Sequence, residues 1–334
     1  MTNQPLVTVI MPTYNRVDKI GNAIKSVLKQ TYQNTQVIVV DDGSTDGTES
    51  FIRTNYPDVD YALISHAGQA AARNKGLSLA EGKIIASLDS DDEWKPEFLE
   101  TCVRKLEVDQ LDFVFANWSQ DFPDGRNGDF LSGDAILRPF ITNRSEKWQM
   151  LSSSSLRKLY LKSCPSPSSS VVIQKSSIVS RWNEKIIISD DWCLLLDMVL
   201  TKNCSAAFTM DMHWIKHINT NNVFDGRRRS ELLELLYIRD TQELMHRFKE
   251  KLTRSEYNIL IKRRVRGLVE LAKHYVIDGF VISQSLRLMK NSVMLSVPHT
   301  LAAIPDVIIF GLNRHVKKVL KKIRKKKSPQ LLTD

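Results

Sequence analysis

The sequence lacks the features that mark several large classes of protein. Its four cysteines show no paired spacing of the kind that binds zinc, and we expect them to be reduced thiols in a cytosolic protein. No basic stretch followed by an apolar core opens the chain, so we expect no signal peptide. The best long apolar window, 293–312, is interrupted by two prolines, a histidine and an aspartate, whereas a spanning helix needs about 20 mostly apolar residues.

A net positive charge is also absent outside one short segment. The 334-residue chain has a formal net charge of +9, yet residues 314–327 alone hold nine lysines and arginines and no acid. The rest of the chain is therefore close to neutral, which argues against a nucleic-acid protein with a broad basic face. Val316, Val319, Leu320 and Ile323 share one helical face here, so we expect a basic amphipathic segment on an anionic membrane surface. A solvated tail, or one docked on another subunit of a homo-oligomer, is the alternative.

Three apolar runs near the N-terminus each end in a polar loop that leads into a helical pattern. This succession is typical of an α/β protein with a mostly parallel sheet and helices on its faces. In such sheets ligands bind outside the carboxyl ends of the strands. The loop after the second run, Asp41-Asp42-Gly43, is either part of such a site or a turn closed by an aspartate side chain. The runs are Val7–Met11, Val37–Val40 and Ile84–Leu88.

The loop after the third run, Asp89-Ser90-Asp91-Asp92, holds three carboxylates in four residues. Like charges this close repel one another unless a cation or several hydrogen-bond donors lie nearby. A hard divalent metal that takes oxygen ligands and bridges to phosphate would suit them. The alternative is that Asp92 caps a helix that begins at Glu93.

Five short motifs, in this order and spacing, carry a resemblance to a known family. Each is weak alone, but together they make the chain similar to a family 2 glycosyltransferase of the GT-A fold, bacterial surface-polysaccharide type, over roughly residues 5–220. The motifs are Val9–Asn15, Ser26–Tyr32, Val40–Asp46, Ala71–Gly76 and Leu88–Asp92.

The resemblance implies that the donor is a nucleotide-diphosphate sugar, with UDP favoured by analogy. One of the implied contacts is an arginine at the start of a helix, which is electrostatically awkward unless an anion lies beside it. The residues that the resemblance assigns to the nucleotide are Pro12, Thr13 and Tyr14 against the base, Asp42 on the uracil ring, Arg73 near the base and the acidic motif, and Asp89 on the ribose or the metal.

The same resemblance implies a metal site. Asp89-Ser90-Asp91 matches the family's DXD motif, in which Asp91 binds Mn²⁺ or Mg²⁺ and the ion bridges the two phosphates. His217 matches a downstream histidine that meets the metal or the diphosphate. The alternative for His217 is an ordinary place in a polar loop.

Asp191 is the candidate catalytic base, because it matches the carboxylate that deprotonates the acceptor hydroxyl in this family. The sugar would then be transferred with inversion and without a covalent enzyme intermediate. The family has Glu where this chain has the shorter Asp190, which puts any role of that position in doubt. The alternative for Asp191 is capping of the apolar helix 192–200.

We therefore expect a hexosyl- or N-acetylhexosaminyl-transferase that acts on a glycan or lipid-linked glycan in surface-polysaccharide biosynthesis. We expect it in the cytoplasm, peripheral on the inner face of the cell membrane, with a catalytic domain over 1–225 and a helical region over 226–334. A nucleotidyltransferase of related fold is an alternative, although Pro12–Arg16 is not a glycine-rich phosphate loop. A non-catalytic nucleotide-sugar-binding scaffold is another, against which the intact Asp91 and Asp191 argue.

Overall fold

The computed structural model of the protein describes residues 4–122, 127–143, 145–218, 226–277 and 281–305. The chain divides into two compact units, residues 1–227 with 247–253, and residues 228–246 with 254–334. The strands of the first unit are β1 Val7–Thr13, β2 Thr35–Asp41, β3 Asp60–Leu63, β4 Ile84–Ser87, β5 Asp92–Trp94, β6 Phe113–Asp121, β7 Asn127–Asp129, β8 Trp148–Leu151, β9 Val171–Gln174 and β10 Ala206–His217. Its helices are α1 Ile20–Leu28, α2 Thr48–Asn55, α3 Gln69–Leu79, α4 Phe98–Val108, α5 Ser153–Tyr160 and α6 Asp190–Thr201.

The strands form one sheet in the order β3-β2-β1-β4-β9-β6-β10-β5, with β7 beside β6 and β8 also beside β10. β1 pairs in parallel with β2 and β4, and β2 pairs in parallel with β3. Every residue of β1 is buried, as expected for a central strand whose two faces are covered. The predicted α/β class, with a parallel core and flanking helices, is confirmed.

Beyond β4 the sheet becomes mixed. The short β-branched run Val171-Val172-Ile173 begins β9, which pairs antiparallel with both β4 and β6. β10 then pairs in parallel with β6, with irregular register between Thr209 and Trp214. The four strands β3, β2, β1 and β4 therefore present their carboxyl ends at one edge, and the loops at that edge include the acidic motifs.

The helix that Asp92 would cap under the alternative interpretation of the acidic loop does not form there. Asp92 is the first residue of β5, which pairs antiparallel with β10, and the next helix begins only at Phe98. Pro96 accounts for this delay, because a proline disfavours the helical conformation of the residue before it. Trp94 stabilises the strand, since its buried indole N–H donates to the Ser169 carbonyl oxygen at 2.7 Å.

Residues 119–135 are rich in aspartate, glycine and asparagine, a composition that predicts a loop, but part of this segment forms a strand. β6 continues to Asp121, and Asn127–Asp129 forms the short strand β7 against it. Asn117 holds the return in place, because its side-chain amide donates to Asp129 and its side-chain oxygen accepts from the Leu131 N–H at 3.0 Å. Hydrogen bonds between two segments of one chain leave no periodic pattern in a glycine- and aspartate-rich sequence.

From residue 228 onward the described chain is helical, as its sequence pattern predicts. Arg229 and Glu270 form an ion pair within this region, and Val265 and Val269 pack with Ala303. None of the described helices is both long and apolar enough to cross a membrane. The predicted basic segment over 306–334 lies outside the described residues. The elements are α7 Arg229–Leu232, a π-helix Leu233–Asp240, α8 Thr241–Phe248, α9 Arg254–Ile277, α10 Ile282–Leu295 and a last helical stretch over 297–305.

Gly82, between α3 and β4, generates a prediction about stability. A Cβ at this position would lie 2.6 Å from both the Leu6 carbonyl oxygen and the Thr8 backbone nitrogen. Because these are backbone atoms of the central region, we expect Gly82→Ala to lower the free energy of unfolding by about 1–3 kcal/mol in urea denaturation. Gly133→Ala is the control, since a Cβ there meets nothing within 4 Å. Equal stability of the two variants would contradict the crowding.

Candidate active site

The loops after β1 and β2 meet at the carboxyl edge of the sheet. Pro12 and Thr13 are the last residues of β1, in register with Val40 and Asp41 of β2. The Asp42 N–H donates to the Thr13 carbonyl oxygen at 2.9 Å, which ties the two loops together. The Asp41 carboxylate accepts from the Ser44 N–H, so the turn closed by an aspartate side chain is present. This turn is compatible with a place for the same loop at the predicted ligand-binding edge.

Asp42 is buried, and its carboxylate organises the loop that leads into α3. One oxygen accepts from the Ala67 N–H at 2.7 Å and the other from the Gly68 N–H at 2.9 Å. The His66 ring nitrogen lies 2.9 Å from the same carboxylate. The exposed ring of Tyr14 stacks on His66 with 4.2 Å between ring centroids. His66 therefore links Tyr14 and Asp42 at the carboxyl edge of the sheet. The sequence did not single out His66.

Arg73, in the first turns of α3, lies at the centre of an acidic cluster. Its guanidinium is buried and bridges two carboxylates, with Nη2 2.7 Å from Asp89 and Nη1 2.5 Å from Asp190. Burial by itself lowers the pKa of Arg73, but the carboxylates of Asp190 and Asp89 outweigh it and hold the pKa above its ordinary value. The negative charge expected beside this arginine therefore comes from two side chains, Asp89 and Asp190, which are far apart in the sequence.

Asp190 is a site residue that the sequence reading left in doubt. It is buried at the first position of α6 and accepts from the Gln69 side-chain amide at 2.7 Å as well as from Arg73. Gln69 and Arg73 are four residues apart on α3, so both reach the same carboxylate. That spacing is the signal that could have pointed to a buried acid on a facing element. Burial raises the pKa of Asp190, while the Arg73 charge opposes this rise.

Asp191 follows directly and occupies the second position of α6, so it is not the N-cap residue. One carboxylate oxygen accepts from the Ser168 N–H at 3.1 Å and the other from its neighbouring Trp192 N–H at 2.6 Å. Burial, together with the adjacent charge of Asp190, raises the pKa of Asp191 to about 7. A carboxyl group with a near-neutral pKa suits proton transfer, because both protonation states are accessible at physiological pH.

The three-residue turn Ser168–Ser170 connects the acidic loop after β4 with Asp191. The Ser169 hydroxyl accepts from the Asp89 N–H at 3.1 Å and donates to the Asp92 carboxylate at 2.7 Å. The preceding residue, Ser168, supplies the backbone N–H bound by Asp191. In the sequence, this serine- and proline-rich stretch is indistinguishable from an ordinary connection between elements.

The two predicted metal-site residues line one cavity of about 170 Å³, together with Asp92 and Glu93. His217 is the last residue of β10, and its Nε2 lies 2.9 Å from the Glu93 carboxylate. Asp91 lies 3.9 Å from the Arg16 guanidinium. Because β5 pairs with β10, the acidic loop and His217 come together despite their distance in the chain.

We tested whether these side chains suit a divalent cation. One oxygen of buried Asp92 accepts from Ser169, while the other has no hydrogen-bond partner within the described ranges. Burial raises the pKa of Asp92 well above its ordinary value, and the nearby charge of Lys216 opposes this rise without outweighing it. Carboxylate oxygens with one imidazole are a donor set that Mn²⁺ or Mg²⁺ accepts. The described part of the chain has no preassembled group of three such ligands.

Comparison with known sequences identifies relatives of the first unit. The family described as Glycosyl transferase family 2 matches residues 8–164. TuaG of Bacillus subtilis, a glycosyltransferase named for teichuronic acid biosynthesis, is 40% identical over 131 residues, which are 37% of this chain and 52% of TuaG. The Escherichia coli enzyme WfgD, a UDP-Glc:α-D-GlcNAc-diphosphoundecaprenol β-1,3-glucosyltransferase, is 29% identical over 204 residues, which are 60% of this chain and 72% of WfgD. This chain thus spans about half the length of TuaG.

Solved structures share the fold at low sequence identity. S. aureus TarS 1-349 in complex with UDP-GlcNAc matches 89% of this chain and 83% of that chain, with a TM-score of 0.60 and 16% identity. The mannosyltransferase PcManGT from Pyrobaculum calidifontis, in complex with GDP-Man and Mn²⁺, matches 92% of this chain and 86% of that chain, with a TM-score of 0.55 and 19% identity. Residues 8–164 are therefore a glycosyl transferase family 2 domain, built on a sheet of the GT-A fold.

Proposed function

We propose that the protein is an inverting, metal-dependent glycosyltransferase that moves a hexose or N-acetylhexosamine from a UDP-sugar to a hydroxyl of a glycan or lipid-linked glycan. The observation that carries the proposal is Asp191, a carboxyl group with a pKa of about 7, held next to the Arg73 cluster at the ligand-binding edge. A general base needs this combination of a near-neutral pKa and a fixed position.

The donor nucleotide is proposed to bind along the edge formed by the loops after β1 and β2. Tyr14 offers an exposed ring for stacking on the base, and the backbone of Pro12 and Thr13 offers polar contacts beside it. Asp42 would accept a hydrogen bond from the uracil ring with lone pairs that remain beyond its backbone contacts. Asp89, which Arg73 holds in place, would contact the ribose or the metal.

Asp91 and His217 are proposed to hold Mn²⁺ or Mg²⁺, with the unpartnered oxygen of Asp92 close by. When bound, the ion would neutralise the charge that develops on the departing nucleotide diphosphate. The protein itself holds these metal-ligating side chains in position. The pairing of β5 with β10 keeps His217 beside the acidic loop, and Ser169 orients Asp92.

In the proposed reaction, the Asp191 carboxylate removes the proton from the acceptor hydroxyl. The hydroxyl oxygen forms a bond to the anomeric carbon while the bond from that carbon to the phosphate oxygen breaks, so the configuration inverts. The proton remains on Asp191 and then passes to solvent. The backbone N–H groups of Ser168 and Trp192 orient the carboxylate.

The relatives support the acceptor and donor classes. WfgD is named for transfer from UDP-Glc to a diphosphoundecaprenol-linked sugar, and TarS has been solved with UDP-GlcNAc. A lipid-linked acceptor would favour a place on the cytoplasmic face of the membrane, which the basic segment over 306–334 suits by its charge. The competing functions are a nucleotidyltransferase, against which Pro12–Arg16 argues because it is not a glycine-rich phosphate loop, and a non-catalytic scaffold, against which the intact Asp91 and Asp191 argue.

The first prediction concerns the base itself. We expect Asp191→Asn to bind nucleotide sugar normally but to transfer sugar about 10²–10⁴-fold more slowly, because the amide cannot accept the proton. Transfer would be measured with a panel of nucleotide sugars and Mn²⁺, and binding by thermal shift. Asp211→Asn, at a half-exposed aspartate of β10, is the matched control. A normal rate for Asp191→Asn would assign the base to another residue.

The second prediction is a pH dependence. Asp191 acts only when ionised, and its pKa is raised to about 7, so kcat should rise with pH through neutrality and level off above it. Asp190→Asn should move this limb to lower pH, because the charge of Asp190 contributes to the elevation. Rates of the wild type and this variant on both sides of neutrality provide the check. A rate that falls as pH rises through 7 would contradict the assignment.

The third prediction concerns the metal. We expect UDP with Mn²⁺ to raise the melting temperature of the wild type, and this shift to vanish with a chelator or in Asp91→Asn. The variant loses one anionic donor, and each tenfold loss of affinity costs about 1.4 kcal/mol of binding free energy. Asp211→Asn should keep the full shift. An undiminished shift in Asp91→Asn would exclude this aspartate as a ligand.

A further inference from the structure

Exposed apolar side chains are concentrated at the end of the described chain. Within the described ranges, eight of the eighteen exposed large hydrophobic residues lie between positions 276 and 301. Soluble proteins rarely expose a concentration of apolar residues unless another molecule binds there. We therefore expect a binding partner at this part of the chain. The eight residues are Val276, Ile277, Ile282, Leu286, Val293, Met294, Val297 and Leu301.

Three of them form one stripe on α10. Ile282, Leu286 and Val293 lie within about 40° of one another around the helix axis at 3.6 residues per turn. Leu286 is 64% exposed, whereas Ser285 and Ser292 on another face of α10 are buried. Val297 and Leu301, four residues apart on the next helical stretch, are exposed as well. We name the set Ile282, Leu286 and Val293 the apolar stripe.

The lysine and arginine residues within the segment that carries the apolar stripe have no acidic counterpart in that segment. Residues 281–305 contain no aspartate or glutamate, and their two basic residues, Arg287 and Lys290, are exposed on one flank of the stripe. The sequence continues into the nine basic residues of 314–327. Basic side chains beside an apolar helix face can bury their stems in a lipid interface and extend their charges to the headgroups.

We propose that the apolar stripe is seated on an anionic lipid bilayer, as an interfacial surface and not as a spanning segment. A second copy of the chain is a poorer occupant, because it would bring Arg287 and Lys290 together with no acidic partner in this segment. The basic segment over 314–327 is disfavoured for the same reason, since like charges repel. The proposal concerns a lipid contact by described residues and holds whether or not the catalytic assignment is correct.

The experiment is co-sedimentation of the full chain with vesicles of phosphatidylcholine alone or mixed with phosphatidylglycerol. We expect binding to the anionic vesicles, and we expect Leu286→Gln with Val293→Gln to weaken it about tenfold or more, because two apolar anchors are lost. Leu63→Gln with Val108→Gln is the matched control, since both are exposed apolar residues of the first unit. Equal binding of the stripe variant and the wild type, or equal binding to neutral vesicles, overturns the proposal.

If the apolar stripe contacts a different partner, measurements on the same samples give a different result. A stripe variant that binds vesicles normally but changes its oligomeric state in light scattering would assign the stripe to a second copy. Stronger vesicle binding by the stripe variant would indicate that the stripe holds the basic segment instead of lipid. Either result overturns the proposal.

A conservative variant guards against loss of folding. Leu286→Trp keeps an apolar side chain and adds an indole to the stripe. With brominated lipids in anionic vesicles, we expect quenching of the added fluorescence relative to the wild type, whose own tryptophans provide the baseline. A bound protein whose added indole is not quenched contradicts insertion of the stripe.

Discussion

The buried guanidinium of Arg73 makes the ion pairs on which the rest of the candidate active site depends. It bridges Asp89, which follows β4, and Asp190, which begins α6, although these residues are 101 positions apart in the chain. Removal of a charged group from water is costly, and here the two carboxylates compensate the arginine while the arginine compensates them. The dense acidic edge of this sheet is stable because a cation of the protein lies inside it.

This arrangement gives adjacent carboxylates different properties. Asp190 accepts from Arg73 and Gln69, so its charge stabilises the contact between α3 and α6. Asp191 accepts from the backbone N–H groups of Ser168 and Trp192 and feels the neighbouring charge of Asp190, which helps burial to raise its pKa to about 7. Separation of two acids by their environments is a general route to one structural and one catalytic carboxylate. Ser169 extends the same framework to the acidic loop after β4.

Much of this fold could be predicted from the sequence, since apolar runs of β-branched residues followed by polar loops mark buried parallel strands. β1, β2 and β4 and the helical region after residue 228 were found in this way, and the family resemblance was confirmed. The parts that could not be predicted depend on contacts between distant segments. β5 exists only through its pairing with β10, and Ser169 acquires its role by reaching Asp89 and Asp92 from 77 or more positions away. No local period encodes either contact.

The most direct test of the account is a crystal structure with Mn²⁺ and a UDP-sugar bound. The account predicts the ion on Asp91 and His217, the diphosphate across the carboxyl edge of the sheet, and the Asp191 carboxylate facing the anomeric carbon from the side opposite the phosphate. A diphosphate bound away from this edge, or an Asp191 carboxylate turned from the sugar, would contradict it.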